Sequence, residues 1–369
     1  MAIPFLDLKN DHEPLRDDLE GAIRRVLQSG NYILGEEVSA FEGEVAEFLG
    51  VAHAVGVSSG SDALVTALLA AGVGPGDEVV TTPFSFFATV EAVLRVGAQP
   101  RFVDVDADTL MISPEAVRGA LRSKTRAILP VHLYGNAAAL EALEPIARGA
   151  DVALVEDAAQ AFGAALAGRS LGSWGAFGCF SFFPTKPLGG VGDGGLVVTE
   201  DADRAAHLRR LRVHGASARH AHTEWSGNYR LDELQAAVLR VKLTYVERWQ
   251  KARAERVRRY LERLTKIDAI RTFDARRGER PAHALFTVRV LDGSRDRLRA
   301  FLRERGVATA VHYPTPLHAQ PALAHWTVDP ANFPNTELAC RQVLSLPLFP
   351  SMTFGQVDAV LEAIEAFYS

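Results

Sequence analysis

Short apolar runs rich in valine and isoleucine alternate with helix-length segments over the first half of the chain, and this alternation constrains the fold more than any other feature. The runs are at 54–58, 78–82, 100–104, 126–132 and 152–156. Strands that alternate with helices pair in parallel through right-handed crossovers, and helices cover both faces of the sheet. The sequence therefore predicts an α/β fold with its ligands at the carboxyl ends of the strands.

The chain around these runs predicts two domains. Helical periodicity at 17–27 and 37–49 places two helices before the first strand, and a periodic segment over 231–264 predicts one long helix. A strand at 285–291, a helix at 295–305, a strand at 308–312 and a helix at 356–367 follow. We expect a large domain at 1–245 and a smaller C-terminal α/β domain at 246–369, with the N-terminal helices packing partly on the smaller one.

Composition excludes several classes of protein. Among 369 residues, 40 are basic and 45 acidic, so no overall basic field would attract nucleic acid or an anionic membrane. Two cysteines, Cys179 and Cys340, exclude a disulfide framework and fit a reducing compartment. No run approaches a membrane span or a secretory signal, and no histidine, cysteine or carboxylate spacing is typical of zinc. We expect a cytoplasmic protein without a metal or a nucleic-acid partner.

The segment 178–195 carries the most conspicuous lysine of the chain. An apolar run that contains Ser181 stops at Pro184, and Lys186 then precedes a glycine-rich turn that leads into a second strand at 195–199. A lysine in an apolar, glycine-bounded turn is poorly solvated, so its amine becomes available as a nucleophile. The alternative is an ordinary exposed turn lysine, and this segment alone does not decide between them.

Two well-known motifs occur and point in different directions. The stretch 190–195 matches G-x-G-x-x-G, but a strand follows it where a dinucleotide site needs a helix. The stretch 56–60 matches G-x-S-x-G between a strand and a helix, which makes a serine hydrolase with Ser58 as nucleophile a competing hypothesis. The same junction could instead bind a phosphate through the backbone N–H groups of Gly60 and Ser61 and the Ser61 hydroxyl.

Other residues favour the phosphate interpretation. Asp157 follows a strand and Gln160 lies one turn further on, so a buried carboxylate could keep a heterocyclic nitrogen protonated. Asp157 could otherwise be a triad acid or a helix cap. The hydrolase hypothesis leaves Lys186, Ser181 and Phe86 without roles. A phosphate cradle, an acid, an aromatic ring and a desolvated lysine together fit pyridoxal 5′-phosphate.

Eight segments in order resemble the DegT/DnrJ/EryC1/StrS family of sugar aminotransferases. They lie at 32–38, 59–64, 83–89, 130–135, 156–160, 181–186, 227–237 and 311–318. The resemblance implies the fold of type I pyridoxal-phosphate enzymes, in which a mostly parallel seven-stranded sheet is covered by helices. It also implies a homodimer whose active sites are shared between subunits.

The resemblance assigns roles to individual residues. Lys186 would form the internal Schiff base, Asp157 would pair with the pyridine nitrogen, and Gln160 would lie near the ring hydroxyl. Gly60, Ser61 and Ser181 would hold the phosphate, Phe86 would stack on the ring, and Asn228 would reach the phosphate in the neighbouring subunit. Contacts to the substrate are expected from Tyr32, His214, His312 and Tyr313.

The implied reaction moves the amino group of L-glutamate to a keto sugar linked to dTDP or UDP. Phe183 and the Gly-Asp-Gly-Gly at 192–195 resemble members that aminate C3, whereas histidine and Gly-Glu-Gly-Gly resemble the C4 group. Ser61 and Pro187 depart from the threonine and asparagine common in the family. Amination at C4 and a pyridoxal-phosphate sugar dehydratase stay open as alternatives, as does the more distant hydrolase. A regulator that merely retains the fold would leave the intact Lys186 and Asp157 unexplained.

Overall fold

A seven-stranded sheet forms the centre of the molecule. The computed structural model describes residues 2–273, 275–326 and 328–369. The strands of the sheet are β1 (His53–Val57), β2 (Glu78–Thr81), β3 (Gln99–Phe102), β4 (Thr125–Leu129), β5 (Ala153–Asp157), β6 (Phe177–Ser181) and β7 (Gly195–Thr199).

The strand order in this sheet is β1-β7-β6-β5-β4-β2-β3, and only β7 runs antiparallel to its neighbours. The strands β2, β4, β5, β6 and β7 are buried along almost their whole length, as expected for strands covered on both faces. The predicted mostly parallel sheet is therefore confirmed, with each predicted strand within a few residues of its observed bounds.

Helices cover the sheet and supply most of the remaining structure. They are α1 (Leu8–His12), α2 (Arg16–Ser29), α3 (Glu36–Leu49), α4 (Gly60–Ala70), α5 (Phe87–Arg95), α6 (Pro114–Ala120), α7 (Leu140–Gly149), α8 (Ala202–Leu211), α9 (Glu233–Leu243), α10 (Val246–Leu264), α11 (Arg295–Glu304), α12 (Pro334–Gln342) and α13 (Phe354–Tyr368). Three helices thus precede β1, one more than the sequence predicts. Both α2 and α3 end at glycines with positive φ, Gly30 and Gly50, which cap them at no steric cost.

The predicted single helix over 231–264 is wrong, because α9 and α10 are separated at Thr244 and Tyr245. The helix α9 packs on α2 and α3, whereas α10 packs on α13 in a different part of the molecule. The buried faces of α9 and α10 point in different directions, so the backbone bends between the two helices. The Thr244 hydroxyl donates to Val241 O at 2.8 Å, a bond that often bends helices.

A second, C-terminal core lies around a three-stranded antiparallel sheet. This sheet contains β8 (Phe286–Val290) between Ile270–Arg271 and β9 (Val343–Leu346), and α10, α11 and α13 pack around it. The predicted strand at 308–312 is wrong: only Ala310 pairs, with Ser345, before the chain turns towards the large sheet. The strand β9 was not predicted.

The predicted domain boundary after residue 245 falls at the break between α9 and α10. Ile3 belongs to the C-terminal core, whereas Ala282 and Ala339 belong to the core of the large sheet. Each half of the chain therefore contributes residues to the core formed mainly by the other half. The domain division at 245 stays a prediction.

Short strands make two further sheets, and none of the described helices is long and apolar enough to cross a membrane. One small sheet joins Ala165–Leu166 with Arg169–Ser170 and Glu279–Arg280, and the other is the hairpin Ala216–Ala218 with Ala221–His222. Single 3-10 turns lie at Glu13–Leu15, Leu133–Gly135, Leu317–Ala319, Pro321–Leu323 and Pro330–Asn332.

Candidate active site

The carboxyl ends of β1, β5 and β6 bring the predicted cofactor residues to one edge of the sheet. Asp157 is the last residue of β5 and Ser181 is the last residue of β6, while Gly60 begins α4 three residues after the end of β1. Because β5 and β6 are parallel neighbours, Asp157 and the segment after Ser181 emerge side by side. This is the edge at which α/β proteins bind their ligands.

Lys186 sits in a turn that its own glycines and prolines shape. Lys186 N donates to Phe183 O at 2.9 Å, and Gly190 N donates to Phe182 O at 2.7 Å. A Cβ atom on Gly189 would lie 2.3 Å from Pro184 O, so only glycine allows the turn to fold back on itself. Burial lowers the pKa of Lys186, and the negative charge of Asp157 partly opposes this effect. The amine is thus closer to its reactive neutral form than an exposed lysine.

Asp157 is a buried carboxyl group that two hydrogen bonds orient. Its Oδ2 accepts from Thr89 Oγ1 at 2.8 Å and its Oδ1 accepts from Ala159 N at 3.2 Å. Burial raises the pKa of Asp157, while these bonds and the charge of Lys186 lower it. The long Ala159 contact leaves Oδ1 as the oxygen with room for a stronger donor, such as a protonated ring nitrogen.

The N-terminus of α4 forms a narrow cradle against β6. A Cβ atom on Gly60 would lie 2.6 Å from Ser181 Cβ, so any side chain at position 60 would collide with Ser181. Ser59 caps the helix by accepting from Asp62 N at 3.0 Å, which leaves the N–H groups of Gly60 and Ser61 at the helix end. Backbone donors and the helix dipole favour a phosphate there.

Gln160 connects the cofactor edge to the C-terminal core. Its Oε1 accepts from Tyr134 N at 2.6 Å, and its Nε2 donates to Tyr313 Oη at 3.2 Å. The Tyr134 hydroxyl in turn donates to His312 O. The segment that carries His312 and Tyr313 is thereby held against the sheet edge, which explains why it leaves the predicted strand at 308–312.

The two residues of this segment that are expected to contact the substrate have strongly shifted pKa values. Burial lowers the pKa of His312 to about 4, and the positive charge of Lys186 adds to this effect. Burial also raises the pKa of Tyr313, and the Asp157 charge acts in the same direction. Both side chains are therefore neutral near pH 7, and both respond to the charges of Lys186 and Asp157.

Aromatic rings form one wall of the edge. Phe86 precedes α5 with 60% of its side chain exposed, and its ring centroid lies 6.3 Å from that of Tyr313. Phe84 packs edge-on against the same tyrosine at 6.3 Å. An aromatic ring left this exposed at a sheet edge is available for stacking on a planar ligand.

Three further predicted residues are exposed in the single chain. Asn228 is exposed, and its backbone forms a bridge with Val213. His214 is exposed beside the hairpin at 216–222, with its carbonyl oxygen 3.0 Å from His222 Nδ1. Tyr32 is 46% exposed. These side chains are available to a second subunit or to a substrate.

The two competing motifs have structural roles. Ser58 Oγ donates to Asp62 Oδ2 at 2.6 Å, and Arg95 Nη1 pairs with Asp62 Oδ1 at 2.9 Å, so Ser58 faces an acid and not a histidine base. The glycines at 190–195 belong to the turn and to the start of β7, not to the start of a helix. The described residues contain no cluster of three or more potential metal ligands.

The sequence prediction missed several polar residues that support the site. Ser85 Oγ lies 2.7 Å from Thr89 Oγ1, so a buried chain of hydroxyls reaches Asp157. Tyr134 was also missed, although it bonds both Gln160 and His312. Thr89 could have been found from the sequence, because it places a hydroxyl group on the otherwise apolar face of α5.

The chain is similar over nearly its whole length to known aminotransferases. The family model described as DegT/DnrJ/EryC1/StrS aminotransferase family matches residues 14–365. A solved structure titled S. venezuelae DesV in complex with a ketimine intermediate superposes with a TM-score of 0.96 at 42% identity, covering 99% of this chain and 98% of that one.

Curated relatives of similar length carry three kinds of name. A pleiotropic regulatory protein of Geobacillus stearothermophilus is 41% identical over 100% of this chain and 99% of its own. A dTDP-3-amino-3,4,6-trideoxy-alpha-D-glucose transaminase of Streptomyces venezuelae is 43% identical over 98% and 95%. A UDP-N-acetyl-3-dehydro-alpha-D-glucosamine 3-aminotransferase of Acidithiobacillus ferrooxidans is 40% identical over 98% and 97%. Sequence, fold and comparisons agree that the chain belongs to the DegT/DnrJ/EryC1/StrS aminotransferase family.

Proposed function

We propose that the protein is a pyridoxal-phosphate-dependent transaminase that moves the amino group of L-glutamate to C3 of a keto sugar linked to dTDP or UDP. The observation that carries the proposal is the convergence of Lys186, Asp157 and the Gly60–Ser181 cradle at one sheet edge. The names of the two transaminase relatives, which act on dTDP- and UDP-linked sugars, support this substrate class and this position.

The residues at the edge fit pyridoxal phosphate. The N–H groups of Gly60 and Ser61, with the Ser61 and Ser181 hydroxyls, would hold the phosphate at the helix end. Phe86 would cover one face of the ring, and Gln160 would lie beside the ring hydroxyl. The cofactor would supply an electron sink for the amino-donor carbon. Asp157 Oδ1 would hold the proton on the ring nitrogen, because the other oxygen of this carboxylate already accepts from Thr89.

Lys186 would anchor the cofactor and move the substrate proton. Burial lowers its pKa, so more of the free amine is in the neutral form in which Nζ can take the proton from the α-carbon of the donor. In the second half-reaction the same amine would deliver a proton to the sugar. Because the two half-reactions share one site and the first product leaves before the sugar reacts, we expect ping-pong kinetics.

The assembly we propose is a homodimer with shared active sites. Large apolar side chains are exposed at Tyr32, Ile33, Leu34, Phe183 and Val191, and Trp225 is 86% exposed. Exposure on this scale is typical of an interaction surface. Asn228 would then reach the cofactor phosphate of the neighbouring subunit, and Tyr32 and His214 would contact the sugar nucleotide with His312 and Tyr313. Both cysteines are buried thiols, which fits a cytoplasmic location.

The experiment supplies L-glutamate with dTDP- and UDP-linked 3-keto and 4-keto sugars and assigns the product by NMR. We expect amination at C3 by the wild-type protein and by a Lys251→Ala control, which removes an exposed lysine. The Lys186→Ala variant should lose turnover. Amination at C4 alone would overturn the C3 assignment, and elimination of a sugar hydroxyl without amination would favour the dehydratase.

A further inference from the structure

Two cations are buried on either side of the break between α9 and α10. Lys242 is 1% exposed and Arg253 is 8% exposed. Arg253 Nη1 is buried without a hydrogen-bond partner among the described residues, and Lys242 Nζ lies 5.8 Å from the centroid of the Trp249 ring. Buried polar groups almost always have partners, so Arg253 Nη1 needs an acceptor that the described residues do not provide.

Both side chains line one small cavity. Its volume is about 20 Å³, and its walls include Asp11, His12 and Lys186 with the turn around it. A cavity of roughly this size holds one water molecule or one ion of comparable radius. Sulfate and phosphate are too large for it.

The charges around the cavity do not balance. Among the described residues that line the cavity, Asp11 alone carries a carboxylate, and Asp11 Oδ1 already accepts from Ser351 N at 2.7 Å. Burial and the charge of Lys242 lower the pKa of His12 to about 4, so this ring is neutral. Burial lowers the pKa of Lys242 to about 8, an effect that Asp11 opposes and Arg253 reinforces. Lys186, Lys242 and Arg253 thus put three basic side chains around one carboxylate, which is unfavourable for buried groups unless a further negative charge is present.

We propose that one chloride-sized anion binds in this cavity, held by Lys242 and Arg253. A water molecule could accept their hydrogen bonds but would leave the excess positive charge in place. An anion does both. The site is separate from the phosphate cradle, and it couples the N-terminal helix α1 to the turn that carries Lys186.

Bromide provides the direct test, because it scatters anomalously and replaces chloride. Crystals of the cofactor-loaded enzyme grown in bromide should show an anomalous peak in the cavity of each subunit. An empty or water-filled cavity, or a carboxylate of a partner subunit inserted there, would overturn the proposal. This measurement needs no variant and does not depend on the reaction that the enzyme catalyses.

Thermal unfolding of the loaded enzyme provides a second test. At constant ionic strength, replacing gluconate by chloride should raise Tm by about 2 °C or more, because the ion binds only the folded state. Lys242→Met should abolish this dependence, whereas Lys251→Met on the exposed face of α10 should retain it. A wild-type Tm that does not change with chloride would contradict the proposed anion site.

Discussion

Replacing Thr89 by valine removes the hydroxyl that orients Asp157 and changes little else. Thr89 Oγ1 donates to Asp157 Oδ2 at 2.8 Å, and Ser85 Oγ lies 2.7 Å behind it, so the three groups form a buried relay. A hydrogen bond to a charged group contributes about 1.5–3 kcal/mol. This bond is among the influences that lower the pKa of Asp157 against its burial. Its loss raises that pKa further.

The expected effect of Thr89→Val is selective for low pH. Because the carboxylate holds the proton of the ring nitrogen, a higher Asp157 pKa moves the acid limb of kcat/KM towards neutral pH. On that limb the ionised fraction should fall roughly ten- to hundred-fold, the equivalent of 1.5–3 kcal/mol. Near the upper end of the pH range the variant should recover most of its activity.

The assay is a pH profile of kcat/KM for wild type, Thr89→Val and Thr89→Ser. Serine keeps the hydroxyl and should keep the wild-type profile, although it loses the methyl group. A loss of activity in Thr89→Val that is equal at every pH would refute the relay and leave Thr89 with a packing role only.

Three further changes test other parts of the account. Gly60→Ala should weaken pyridoxal-phosphate binding about ten-fold or more in a titration, because the new Cβ would lie 2.6 Å from Ser181 Cβ, whereas Gly43→Ala, with no atom within 4 Å, should bind normally. Tyr134→Phe should cost about 1 kcal/mol of unfolding free energy and raise KM, since its hydroxyl holds the His312 segment; unchanged values for both would contradict the clamp. Glu156→Gln should cost about 1–3 kcal/mol by denaturation, because the buried Glu156 carboxylate accepts from Gly172 N, Gly175 N and His132 Nε2, and an amide cannot accept all three bonds; a Tm within 1 °C of wild type would show that the amide is accommodated.

Periodicity predicted the large sheet well because its strands are buried on both faces. The strands that end at Val57, Thr81 and Asp157 each contain a buried apolar run, at 54–57, 79–80 and 154–155, and turn residues lie between the strands and the helices. The site residues at their ends followed from the same pattern, since parallel strands end at a common edge. Lys186 and Asp157 could thus be proposed as neighbours without any structure.

Features that depend on tertiary packing could not be predicted from the sequence. No glycine or proline near Thr244 indicates the bend in the sequence. The bend arises because α9 and α10 pack mainly into different cores. The segment at 308–312 has a strand-like composition, but Tyr134 and Gln160 draw its end into the site. Thr89 and Tyr134 act through a few specific hydrogen bonds, which leave no periodic signal.

The most direct test of the central claim is the absorption spectrum of the purified protein reconstituted with pyridoxal phosphate, recorded before and after addition of L-glutamate. We expect a yellow band that requires Lys186, that borohydride abolishes while fixing the cofactor covalently to this residue, and that L-glutamate converts to the pyridoxamine form while D-glutamate does not. If wild type and Lys186→Ala bind the cofactor with the same spectrum, or if no yellow band forms, then Lys186 is not the anchoring residue and the account of this site is wrong.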